Sequence, residues 1–173
     1  MGRSMSVRAA LREATTPQHE TVDAIYGKYD LSDRDSYGEF LSAHGRALPA
    51  LESALRQAAL PRFELRTALI ENDLAALGRS LPPPLCFAGP QSNAAALGIL
   101  YVIEGSRLGG ALLARRVPTD LPCTYLSATH GPGQWKAFGE MLDRACDGPT
   151  WLNDAIAAAN RAFDLYAEAA AAG

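Results

Sequence analysis

The sequence predicts an all-α fold: a single domain of about six helices spanning residues 6–172. Three observations point there. Apolar residues recur at three- and four-residue spacing almost throughout. No segment of comparable strength alternates with period two, and no internal repeat is visible. Glycine and proline fall between the periodic segments, where helices stop and start.

The elements follow in order. Leu11, Val22, Ile25 and Tyr29 mark a first helix over roughly 6–28. Pro17 lies inside it and predicts a bend, or a fresh start with Thr16 as cap. Leu31-Ser32-Asp33 supplies a turn and an N-cap for a second helix carrying Tyr37, Phe40, Leu41, Leu48, Leu51 and Leu55. Pro49 predicts a kink or an early break there. Pro61 is placed to start a third helix with Leu65, Leu69, Leu74 and Leu77, and Gly78 to stop it. Leu81-Pro82-Pro83-Pro84 is a stiff connector. Ser92 or Asn93 caps a fourth helix reaching about Arg116. Pro118 and Pro122 predict an irregular stretch to Gly133. Two helices then run from Gln134 to about Cys146 and from Thr150 to about Ala170.

Composition narrows the function. The chain has 173 residues, 48% apolar and 20% charged, with a formal charge of −3. That is an ordinary globular composition, and it argues against nucleic acid as a partner. Cys86, Cys123 and Cys146 form no CxxC pair; they read as three reduced, mostly buried thiols. The longest apolar run, Ala94 to Ile103, is too short to cross a bilayer, and no apolar signal core opens the chain. The expectation is a cytoplasmic protein that does not engage a membrane. The opening Met1-Gly2-Arg3-Ser4-Met5 reads as partly vector-derived.

Two constellations carry chemistry. Arg12, Thr15, His19, Asp23 and Tyr26 share one helix face, and the stripe is too polar for a core seam. An axial metal ligand needs one ring nitrogen on the metal and the other held by an acceptor. His19 offers the imidazole, Asp23 the acceptor, and Arg12 a cation for an anionic cofactor edge. The plain alternative is a surface histidine among solvated charges. The second constellation is Gly98, Gly105, Gly109 and Gly110 within one apolar helix. Each glycine costs up to about 1 kcal/mol against alanine. Close helix packing is one reason to keep them; a bend bringing bare backbone to a flat ligand is the other, and the Gly109-Gly110 pair favours it. Ser106 lies within this bend, with a hydroxyl able to hold water. Arg107, Arg115, Arg116, Lys136 and Arg144 read singly as solvated charges.

Leu11-Arg12-Glu13-Ala14-Thr15 followed by His19 resembles the proximal-helix motif of haem oxygenases. Gly105-Ser106-Arg107-Leu108-Gly109-Gly110 resembles their distal glycine motif. Tyr101-Val102-Ile103-Glu104-Gly105-Ser106 is most like the bacterial members, including those associated with bacteriophytochromes. The similarity runs from about Leu11 into the last helix, with the motifs in the expected order. It implies haem, both cofactor and substrate, held between the first helix and a kinked glycine-rich helix. It implies opening of haem to biliverdin with release of iron and carbon monoxide, using oxygen and electrons from a ferredoxin or a reductase. A bilin acceptor such as a bacteriophytochrome is the partner implied downstream. On this resemblance His19 is the iron ligand and Asp23 its acidic neighbour. Arg12, with Lys136, meets the propionates. Gly105, Gly109 and Gly110 lie over the distal face. Gly105, Gly109 and Ser106 form the catalytic set, with Ser106 where many members carry an aspartate. Serine has no charge, and this departure bears on turnover more than on haem binding. The rival readings are a non-catalytic haem or bilin carrier, and an interaction or sensory protein, on the same fold. His44 and His130 have no partner recognisable in the sequence.

Overall fold

The computed structural model describes residues 5–173, so of the opening five residues only Met5 falls within it. Six helices follow one another: α1 (Val7–Tyr26), α2 (Arg34–Leu55), α3 (Thr67–Ala76), α4 (Asn93–Ala114), α5 (Gln134–Ala145) and α6 (Pro149–Ala171). No strand occurs among the described residues. The expected all-α architecture of six helices is the one found.

Local chemistry sets most boundaries. The side chains of Ser6, Asp33 and Ser92 accept the backbone N–H groups of Ala9, Ser36 and Ala95, closing the first turns of α1, α2 and α4. Gly78 follows α3 with φ +76°, a left-handed conformation that side chains resist.

Two helix starts differ from expectation. Residues 61–66 are irregular, and α3 starts at Thr67 rather than Pro61. The reason lies in another helix. The Glu52 carboxylate of α2 accepts from Arg66 N (2.6 Å), Thr67 N (3.3 Å) and Thr67 Oγ1 (2.6 Å), doing the work of an N-cap. Thr150 lies inside α6, which opens on Pro149 after Gly148. Pro17 and Pro49 end neither α1 nor α2. Around Pro49, buried Leu48, Ala50 and Leu51 hold the helix by packing. Around Pro17, the Thr15, Thr16 and Thr21 hydroxyls donate to the carbonyls of Leu11, Arg12 and Pro17, a back-bonding pattern that accommodates a bend without ending the helix.

Helix α6 is the hub. It packs on α4, α1 and α2, and α1 and α4 make little direct contact with each other. Its buried face is rich in alanine (Ala155, Ala158, Ala159, Ala162, Ala169, Ala170), which lets neighbours come close. A side chain at Gly98 of α4 would run into the Ala155 backbone, so Gly98 is a packing glycine. By length and composition α4 could cross a membrane, but half of it is buried against the other helices, the position of a core helix. The thiols are less buried than expected: Cys86 is exposed, and Cys123 and Cys146 are half-buried. Arg107 is only 3% exposed, against the expected solvated charge, while Arg115 and Arg116 are exposed.

Gly98→Ala should destabilise the protein by about 1–3 kcal/mol or more, since the clash is with backbone that cannot rotate aside. Urea denaturation with an unchanged m-value measures it; full stability would show that the α4–α6 contact yields freely.

Candidate functional site

The candidate site is built from the faces that α1 and α4 do not bury in α6. On α1, His19 is 57% exposed, and its Nδ1 lies 3.2 Å from Asp23 Oδ2. The ring edge rests on Phe163 of α6, with centroids 5.5 Å apart and planes at 89°. Asp23 therefore takes Nδ1, and Nε2 is the nitrogen left for a ligand. One to two turns before lie exposed Arg12 and buried Thr15. They meet α4 through Tyr101. Burial raises the Tyr101 phenol pKa; a hydrogen bond to the Thr15 side chain and the charges of Arg12 and Arg8 pull it back down.

On α4 the four glycines divide. Gly98 and Gly110 serve packing. A side chain at Gly110 would start 3.2 Å from the Leu126 carbonyl, which places Gly110 off the face that Gly105 and Gly109 share. Gly109 has nothing within 4 Å of a would-be Cβ, and Gly105 has only the Trp135 ring, at 3.6 Å. Leu108 and Leu112 extend this bare surface and are 48% and 64% exposed. An apolar, side-chain-poor face open to solvent suits a flat hydrophobic ligand. Lys136 of α5 is exposed and pairs with Glu140 at 3.7 Å, and no contact brings it to Arg12.

Ser106 faces a different flank. Its hydroxyl donates to the Ile103 carbonyl (2.7 Å) and accepts from Arg66 Nη2 (2.7 Å), which also donates to Ile103 (2.7 Å). Arg66, 2% exposed, was silent in the sequence: it precedes α3 in an irregular segment and shows its role only through the Glu52 contact. Its guanidinium lies 5.2 Å over the Tyr125 ring. Asp73 holds that tyrosine in place, accepting from Tyr125 N (2.9 Å), Thr124 N (3.1 Å) and Thr124 Oγ1 (2.6 Å).

Both histidines left without partners in the sequence have them. His130 Nε2 lies 2.9 Å from Glu104 Oε2. His44 Nδ1 lies 2.8 Å from Tyr125 Oη, and its ring sits among those of Tyr26, Phe40, Tyr125 and Tyr166. Burial, helped by the Arg66 charge, pushes the His44 pKa down to about 3, so the ring is neutral.

No protein-family model matches the chain. It is 31% identical over 147 residues to a haem oxygenase of Xanthomonas campestris pv. campestris, strain 8004, covering 76% of this chain and 86% of that one. It is 30% identical over 150 residues to the haem oxygenase PigA of Pseudomonas aeruginosa PAO1, covering 75% and 73%. The structure superposes on the haem oxygenase of Neisseria meningitidis, solved with NO and CO bound, with TM-score 0.82 and 26% identity over 96% of this chain and 91% of that one. The fold is thus the haem oxygenase fold, and the chain belongs to the haem oxygenase family.

The residues present fit that family's ligand: an imidazole held from behind by a carboxylate, cations beside Tyr101, and a distal helix with no side chain at Gly109.

The buried neutral His44 predicts a pH dependence. Unfolded, it takes a proton near pH 6.5; folded, only near pH 3. The unfolded state therefore binds the extra proton between these values, and stability falls as pH falls through that window, by roughly 1 kcal/mol per unit. Urea denaturation at pH 7 and pH 5 measures the slope, and His44→Gln should flatten it. An equal slope in both proteins would show that other groups set it.

Proposed function

We infer that this chain is a haem oxygenase that opens haem to biliverdin with release of iron and carbon monoxide, consuming oxygen and electrons. The observation that carries the reading is the open, side-chain-free position at Gly109 beside exposed Leu108 and Leu112, on a helix where Gly98 and Gly110 are packed against neighbouring backbone. Packing gives no reason for a glycine there; a flat substrate does.

The roles follow from what each side chain can reach. His19 supplies Nε2 to the iron, while Asp23 holds Nδ1 and keeps the ring turned outward. Arg12 and the Tyr101 hydroxyl receive the propionates; exposed Lys136 is a further cation for them. Gly105 and Gly109 let the macrocycle lie against the α4 backbone. Gly110 supports that approach indirectly, by seating α4 on Leu126. Haem itself supplies the redox chemistry, with its ring as the part oxidised.

Ser106 works together with Arg66. With its hydrogen given to Ile103 and one lone pair given to Arg66, the hydroxyl is held rigidly and is not a free rotor. The guanidinium keeps a permanent positive charge one hydrogen bond from Ser106 on that flank of the distal helix, where it would favour ordered water able to carry protons toward the bound haem. This arrangement takes the place of the aspartate that many relatives carry at the Ser106 position. A ferredoxin or a reductase as electron donor, a bacteriophytochrome-type bilin acceptor and a cytoplasmic setting belong to the same proposal. So does a single domain over 6–172, which the one continuous hydrophobic core supports.

Titrating the protein with haem should give a Soret band, and adding reductant in air should convert it to the bilin spectrum. His19→Ala should abolish the ferrous histidine-ligated signature and turnover together. A protein that takes up haem but leaves it intact under reductant and air would be a carrier instead.

Ser106→Ala should lower turnover more than haem affinity. Arg66→Met should lower turnover by about 100-fold, the effect of removing a preorganised donor, with affinity changed much less. Equal losses in both quantities would assign Arg66 to the fold rather than the reaction.

A further inference from the structure

The flank of α4 turned away from Gly109 carries a polar cluster with no role in the reaction described above. Glu104 and Arg107 are 9% and 3% exposed. Glu104 Oε2 accepts from His130 Nε2 and lies 3.3 Å from Arg107 Nε. Arg107 Nη1 and Nη2 donate to the carbonyls of Ala128 (3.3 Å) and Glu64 (3.1 Å). Two side chains of α4 thus fasten the segment that carries His130. His130 Nδ1 has no hydrogen-bond partner, so the bond to Glu104 is the ring's one polar tether. Beside the ring lies a cavity of about 290 Å³, lined also by Phe63, Leu100, Phe138 and Met141. The ring is nonetheless mostly covered, 9% exposed, with Glu104 on its Nε2 and Trp135 against its face.

His130 also stacks on the Trp135 indole, with centroids 5.5 Å apart and planes at 30°. Tyr101 and Phe138 stack on the same indole at 6.1 and 5.6 Å. The Arg8 guanidinium lies 5.3 Å over it and donates to the Trp135 carbonyl at 3.0 Å. The indole's far edge, Cη2, is the atom that a side chain at Gly105 would meet. Trp135 therefore stands where α1, α4 and α5 converge, at the Gly105 end of the bare α4 face.

We propose that Glu104 and Arg107, acting through His130, are positioning residues that set the Trp135 indole as an end wall of the haem slot, and that this wall selects the in-plane seating of the macrocycle and hence the meso carbon that is opened. The proposal rests on the haem oxygenase reading. His19 would hold the iron but leave the ring free to turn about the Fe–N axis, and Arg12, the exposed cation assigned to a propionate, is a long flexible side chain. A rigid flat wall beside Gly105 excludes any seating that drives a ring substituent into it. The tether lies on one side of α4 and its effect on another, so the pair never touches substrate.

The test uses the full chain reconstituted with haem. Proton NMR of the cyanide-inhibited ferric complex counts seatings from the shifted haem methyl resonances, and chromatography of the bilin gives the isomer ratio. Trp135→Ala should shift both ratios by about three- to ten-fold, the effect of losing one aromatic contact. His130→Ala and Glu104→Leu should shift them in the same direction. Glu104→Gln, which keeps an acceptor for Nε2–H, should restore the wild-type ratios. Unchanged ratios in Trp135→Ala overturn the wall. A shift in Trp135→Ala with none in His130→Ala and Glu104→Leu overturns the positioning role. The positioning claim also has a readout without haem. In a Trp151→Phe background, Glu104→Leu and His130→Ala should move the Trp135 fluorescence maximum and Glu104→Gln should not. Unmoved emission overturns the positioning claim even if the wild type binds no haem, a result that would sink the haem oxygenase reading separately.

Discussion

Gly98 lets the backbone of α4 settle against the backbone of α6 at Ala155, and the geometry of the site follows from that contact. With α4 pressed onto the hub at its N-terminal half, its C-terminal half presents Gly105, Gly109, Leu108 and Leu112 away from the core. α1 leans on the same hub along its own length, so the two helices share a support without packing on each other. The common partner has a buried face that is mostly alanine, which brings both helices close to it.

A second constraint is electrostatic. The chain buries Arg66, Arg107, Glu52, Asp73 and Glu104 almost completely. Burying such groups is costly, and hydrogen bonds offset most of that cost, although Arg66 Nε, Arg107 Nε and Glu104 Oε1 have no hydrogen-bond partner among the described residues. Glu52 spends its oxygens on the start of α3, and Asp73 on the Thr124–Tyr125 backbone. Between them they fix Arg66 under Ser106 and Tyr125 beside His44. The polar network around Ser106 is thus held by carboxylates of α2 and α3, and the charge at Ser106 is a cation brought from outside α4.

Much of the fold was legible because helix periodicity and capping are local. Asp33, Ser92 and Gly78 act on neighbours within four residues, and a one-dimensional reading captures that range. The start of α3 was not legible, because its cap comes from Glu52, fourteen residues earlier on another helix. The prolines left a bend or a break open for a related reason. Proline removes one backbone bond, and whether the helix continues past it depends on packing that periodicity does not show.

The candidate site divides in the same way. The stripe from Arg12 through His19 to Asp23 and the glycine spacing of α4 are properties of single helices, so the sequence alone determined which side chains share a face. The tertiary structure decided which glycines are bare and which are packed, because only the neighbouring backbone of Ala155 and Leu126 tells Gly98 and Gly110 from Gly109. It also decided what Arg66, His44, His130 and Trp135 touch. Their partners lie on other elements, and hydrogen bonds and ring stacks depend on distance in space, which folding sets and sequence separation does not.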